Sequence, residues 1–166
     1  MRTADGESRP ESDQLFRSLL QKAPASAATA TGDSGRETIL FVDDEPAVRR
    51  LGSLVLCYLG YDVIEAADGE EALQLVNDRG DQRIDLLVTD VEMPRMGGKD
   101  LADRLRNSHP ETKVLFTSVY TDDDITKHGV LQPRIAFLQK PYTTALLARK
   151  VREVLDEGRK RQGAEA

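Results

Sequence analysis

From residue 38 onward, apolar positions recur in two alternating rhythms. Ile39-Leu40-Phe41-Val42 is an unbroken apolar run, the mark of a strand buried on both faces. Val48, Leu51, Val55 and Tyr58 follow at three- and four-residue steps, which predicts a helix with that stripe turned inward; Gly60 ends it. Tyr61 to Ala66 reads as a second strand, and Asp68 stands as the cap of a helix carrying Ala72, Leu75 and Val76. Ile84 to Val88 reads as a third strand. Gly97 and Gly98 open a helix with Leu101, Ala102 and Leu105, and Pro110 separates it from a fourth strand, Lys113 to Phe116. A short polar helix is expected over Asp122 to Lys127, a fifth strand over Ile135 to Leu138, and a last helix over Thr143 to Glu157 with Leu147, Val151 and Val154 inward. Five strands alternating with five helices imply an α/β fold, a parallel sheet covered on both faces.

The ends have a different texture. Residues 1–37 are polar, and Pro24 to Gly32 is a run of small residues that reads as a flexible linker. Ahead of it Leu15, Phe16, Leu19 and Leu20 recur at helical spacing behind Ser12 or Asp13, a short stripe that frays in water unless it docks on something. The expected organisation is a leader over 1–37, a domain over 38–157 and a polar tail over 158–166, with no room after the last helix for an output domain.

Composition narrows the function classes. The 166 residues suffice for one domain with a full core. A formal net charge of −6 speaks against nonspecific nucleic-acid binding as the main job. No apolar run reaches the roughly 18 residues that span a bilayer, and the N-terminus lacks the apolar core of a signal peptide. The expected location is therefore the cytoplasm, away from membranes. Cys57 is the one cysteine, which excludes an intrachain disulfide; its place in the first helix suggests packing. His109 and His128 lack metal-ligand spacing.

In an open parallel sheet, ligands bind at the carboxyl ends of the strands. Those ends are unusually polar here: Asp43-Asp44-Glu45 after the first strand, Asp90 after the third, Thr117-Ser118 after the fourth and Lys140-Pro141 after the fifth. Carboxylates brought within a few ångströms repel one another and raise one another's pKa. A hard cation such as Mg²⁺, which takes carboxylate and carbonyl oxygens and bridges to phosphate, removes that conflict. Metal, ammonium and hydroxyl together can hold a phosphoryl group in transfer, with a carboxylate as its nucleophile.

Taken jointly, Phe41-Val42-Asp43-Asp44-Glu45-Pro46, Val88-Thr89-Asp90-Val91-Glu92-Met93-Pro94, Thr117-Ser118 and Lys140-Pro141-Tyr142 resemble the receiver domain of two-component response regulators, over about residues 38–157. The resemblance implies a flavodoxin-like, doubly wound sheet of order 2-1-3-4-5. It implies a phosphorylation-activated switch that takes a phosphoryl group from a phosphohistidine and acts through protein contacts rather than as an enzyme. Asp90 would be the phosphoacceptor. Asp43, Asp44 (the more direct), Asp90 and the backbone carbonyl of Glu92 would hold Mg²⁺. Lys140 would contact the phosphoryl group, Thr117 would move toward it, and Phe137 would change exposure on activation. The implied partners are a sensor or hybrid histidine kinase, or a phosphotransfer protein, and an unidentified downstream protein, with no direct nucleic-acid contact.

Two positions depart from a generic receiver. Glu92 puts a carboxylate at the rim of the site, and Val119 follows the Thr117-Ser118 pair with bulk. A Mg²⁺-dependent phosphatase of the haloacid dehalogenase type is the competing enzyme class. It needs its second aspartate two residues after a nucleophile on the first strand, and Asp43-Asp44-Glu45 lacks that spacing. A receiver that serves inside a hybrid kinase is a further alternative.

Overall fold

The computed structural model describes residues 37–120 and 135–162, with side chains through Glu157. The elements run β1 (Thr38–Val42), α1 (Pro46–Tyr58), β2 (Asp62–Ala66), α2 (Gly69–Arg79), β3 (Leu86–Asp90), α3 (Gly98–Ser108), β4 (Lys113–Ser118), β5 (Ala136–Gln139) and α4 (Thr144–Gln162). The strands form one parallel sheet in the order β2-β1-β3-β4-β5, as expected. Four helices stand among the described residues rather than five. The helix expected over 122–127, the stripe at 15–20 with its linker, and His128 lie outside those residues. Among the described residues no helix is long and apolar enough to cross a membrane.

Strand alternation divides the core. Leu40, Val42, Ile64, Leu87 and Phe116 face one side, where Ala72 and Val76 of α2 and Leu101, Ala102 and Leu105 of α3 cover them. Ile39, Phe41, Leu86, Val88, Leu115 and Leu138 face the other, under Leu56 of α1 and Leu147, Val151, Val154 and Leu155 of α4. Each such aliphatic or aromatic side chain contributes about 1.5–3 kcal/mol by leaving water. Asp68 caps α2 as expected, its Oδ1 accepting from the amides of Glu70 and Glu71 at 2.9 Å. Met96 is buried and Met93 partly so, consistent with packing roles.

The structure corrects the sequence reading at several points. The inward face of α1 is Gly52, Ser53, Val55 and Leu56, whereas Leu51 and Tyr58 are 46% and 65% exposed. The reason is Gly52: a Cβ there would lie 2.4 Å from Cζ of Phe41. The helix thus lies on the sheet through its glycine, which an apolar count passes over. Cys57 falls on the exposed face, so it does not pack in the core. β3 starts and ends two residues later than expected, which makes Asp90 its last residue. α4 continues through Gln162, past the helix end expected at Glu157.

Candidate functional site

Register brings the polar strand ends together. Val42 pairs with Thr89, so Asp43 and Asp90 each follow a matched position. Asp90 pairs with Thr117, and Thr117 with Leu138, two residues before Lys140. Backbone bonds extend the ladder past the strands: Asp43 N to Ala66 O at 3.2 Å, Val91 N to Thr117 O at 2.9 Å and Lys140 N to Ser118 O at 2.7 Å. The loop ends are therefore fixed by the sheet.

Asp43, 1% exposed, is bound at both carboxylate oxygens. Its Oδ1 accepts from the amide of Glu45 at 3.0 Å and its Oδ2 from Nζ of Lys140 at 2.8 Å. Asp90 repeats the pattern: Oδ1 accepts from the amide of Glu92 at 3.0 Å and Oδ2 from Lys140 Nζ at 2.5 Å. One ammonium thus bridges two carboxylates. Asp44 is exposed, and its carboxylate has no hydrogen-bond partner among the described residues. Oxygens of Asp43, Asp44 and Asp90 lie within 4.8 Å of one another, the acidic cluster the described residues contain. The Glu92 carboxylate is not part of it.

The electrostatics follow from burial and from the count of charges. Burial raises the Asp43 carboxyl above its usual range, against the opposing pull of Lys140 and of the Glu45 amide. Burial alone would lower the Lys140 ammonium, but its hydrogen bonds to Asp43 and Asp90 outweigh that and raise it. Lys140 bridges two of the three clustered carboxylates, so Asp43, Asp44 and Asp90 together keep an excess of negative charge. An all-oxygen donor set with that excess matches the preference of Mg²⁺ for carboxylates. Asp43, Asp44 and Asp90 are the side chains that would hold it.

Thr117 is buried at the end of β4 beside Asp90. Phe137 is half-buried on β5, against the core on the α2 and α3 side. Val119 is 65% exposed at the rim. Sequence reasoning missed Arg49, whose Nη1 donates to the carbonyl of Asp43 at 2.6 Å and fixes the β1–α1 turn. No motif announces it, since a lysine or arginine one turn into a helix normally reads as solvated. Tyr142, beside Lys140-Pro141 in the motif, has no role of its own in that reading. The phenol is buried, has no hydrogen-bond partner among the described residues, and is pushed up to about 12 by burial and by the negative charge of Asp43. Gly98 explains the closeness of α3 to the site: a Cβ there would lie 2.1 Å from the carbonyl oxygen of Asp90.

Known proteins place this geometry. Residues 39–152 match the response regulator receiver domain family. The chain is 41% identical over 128 residues to the sensor kinase CckA of Brucella abortus, covering 77% of this chain and 13% of that protein. It is 34% identical over 117 residues to the transcriptional regulatory protein CpxR of Escherichia coli, covering 70% of this chain and 48% of that one. Against these curated relatives the chain therefore spans from about an eighth to about half of their length. Among solved structures, the receiver domain of the hybrid histidine kinase CckA matches with TM-score 0.60 and 38% identity, covering 71% of this chain and 98% of that one. The chemotaxis protein CheY4 of Vibrio cholerae matches with TM-score 0.62 and 30% identity, covering 72% and 98%.

Proposed function

The chain belongs to the response regulator receiver family, the signalling domains of two-component systems, and on that premise we propose that Asp90 is its phosphoacceptor and that Mg²⁺ binds beside it. The observation that carries the reading is the Lys140 ammonium, 2.8 Å from Asp43 Oδ2 and 2.5 Å from Asp90 Oδ2, next to an Asp44 carboxylate without a partner among the described residues. In this reading Asp90 Oδ2 attacks phosphorus, and the bond from phosphorus to the donor's imidazole nitrogen breaks as the new P–O bond forms. Lys140 transfers its hydrogen bond from Asp90 to the arriving phosphoryl oxygens. The Thr117 hydroxyl, in register with Asp90, supplies a further donor. When bound, Mg²⁺ held by Asp43, Asp44, Asp90 and the Glu92 carbonyl would screen the carboxylates from the incoming charge.

The donor we propose is a sensor or hybrid histidine kinase or a phosphotransfer protein. Sensor kinases and transcriptional regulators both stand among the relatives, which supports a place in a phosphorelay. The output is a protein contact in the cytoplasm, made through the surface near Thr117 and Phe137. Moving a two-state equilibrium from 1:99 to 99:1 needs about 5.5 kcal/mol of differential interaction. One charge-assisted hydrogen bond gives roughly 1.5–3 kcal/mol, so Lys140, Thr117 and the cation share that work. Lys140→Ala should still take up phosphate but show reduced shifts around Phe137.

The test is intact-mass spectrometry after incubation with a small phosphodonor and Mg²⁺. The wild type should gain one phosphoryl group, and Asp90→Asn or chelated protein none. Undiminished uptake in Asp90→Asn would sink the assignment.

A further inference from the structure

We infer that Arg95 is a positioning residue for this site: its ion pair with Asp68 holds the β3–α3 turn, and with it Glu92, in a shape fit to bind the cation. The inference rests on the cation site proposed above. The turn's base is well tied. Val91 N donates to Thr117 O at 2.9 Å, Gly98 N to Val91 O at 3.0 Å and Glu92 N to Asp90 Oδ1 at 3.0 Å. Its far side, Pro94 to Met96, has one internal backbone bond, Met96 N to Pro94 O at 2.8 Å. Something else must place it.

Arg95 sits at φ 68°, the one non-glycine residue with positive φ among the described residues. Glycine would adopt that backbone more readily, so the arginine is accounted for by what its side chain touches. Its guanidinium pairs with Oδ2 of Asp68, a buried carboxylate whose Oδ1 already caps α2. Nε lies 3.9 Å from Oε2 of Glu70 on the same helix. The next residue, Met96, is buried over Gly69, where a Cβ would lie 2.8 Å from its Cγ and Sδ. Two successive residues of the turn are thus seated on the N-terminus of α2. The Arg95 charge is engaged by Asp68 and Glu70, not by the cluster at Asp43, Asp44 and Asp90, so it acts on the site through the turn. Groups bonded directly to metal ligands typically change affinity by about 10–100-fold when lost, and Arg95, acting one step further out, should fall at the low end of that range.

The full chain should be compared with Arg95→Gly, Asp68→Asn, their double variant and Asp44→Ala, by denaturant unfolding and by Mg²⁺ titration followed at the Glu92 and Met93 amides. Arg95→Gly suits the left-handed backbone, which offsets part of the ion pair lost at Asp68, and it should bind Mg²⁺ about 10-fold more weakly or worse, with a shifted Glu92 amide. Asp68→Asn keeps a capping oxygen and the Arg95 backbone and should show a similar loss. The double variant should bind no more weakly than the weaker single one. Wild-type affinity and an unmoved Glu92 amide in both single variants, while Asp44→Ala binds weakly, would overturn the inference alone. Wild-type affinity in Asp44→Ala would overturn the cation site beneath it and the inference with it.

Discussion

The two rims of the sheet both carry clustered charge, and they use it differently. At the amino ends of the strands, Arg152 pairs with Glu37 at 3.0 Å and Asp156 at 2.8 Å. Arg83 pairs with Asp85 at 2.6 Å, Asp85 also accepts from the amide of Thr38, and Lys113 donates to the Leu155 carbonyl. Three acidic groups there stand with three basic ones, Arg152 and Arg83 paired with carboxylates and Lys113 bound to a backbone carbonyl. At the carboxyl ends Asp43 and Asp90 share Lys140, the nearby Asp44 has no partner among the described residues, and Arg49 is engaged by the Asp43 carbonyl. One rim is balanced and holds the fold together. The other retains an excess of negative charge within 4.8 Å, an arrangement that favours an added cation. Burying charge does not by itself make a site, and the imbalance is what separates the two.

The largest expected effect breaks that comparison directly. Lys140→Met leaves Asp43 and Asp90 without their shared counter-ion and should destabilise the metal-free protein by about 3–5 kcal/mol. Mg²⁺ should restore much of it. Arg152→Met should cost less, about 1.5–3 kcal/mol for its charged hydrogen bonds, and Mg²⁺ should restore none. Unfolding curves with and without Mg²⁺ read both, and equal responses would erase the distinction between the rims. Gly98→Ala should cost about 1–3 kcal/mol or more, because the atom met is the Asp90 backbone oxygen at 2.1 Å; thermal denaturation reads it. For Mg²⁺ affinity, calorimetric titration should show a larger loss in Asp44→Ala than in Asp43→Ala, since Asp43 already shares Lys140. The smallest effect is on pH. Lys140 is raised above 10.5, so its stabilisation is full below that value and fades as pH climbs through the folded-state pKa. Asp43 is raised above 3.8, so its ionisation takes stability from the metal-free fold as pH rises from there. Lys140→Met should lack the alkaline loss, and Asp43→Asn the loss on the acid side.

Much of this was legible in the sequence because each reading had a local cause. Ile39-Leu40-Phe41-Val42 reads as a buried strand, Asp68 is a capping residue before a helix, and the polar residues at the strand ends mark the candidate site. What stayed hidden depended on partners distant in the chain. The face of α1 is chosen by Gly52 fitting over Phe41, a fact about space rather than hydropathy. Nothing in the sequence marks Arg49 or Arg95, and only the fold places the Asp43 carbonyl and the Asp68 carboxylate before them. The later start and end of β3 likewise follow from pairing with β4, which extends through Ser118.

Phosphoryl acceptance at Asp90 can be read out chemically. After treatment of the full chain with a small phosphodonor and Mg²⁺, borohydride reduction converts an aspartyl phosphate to homoserine, which peptide mass spectrometry locates. The expected result is a single homoserine at residue 90, absent when Mg²⁺ is chelated. A homoserine at 43 or 44 instead, or none at 90 in protein that has gained a phosphoryl group, would contradict it.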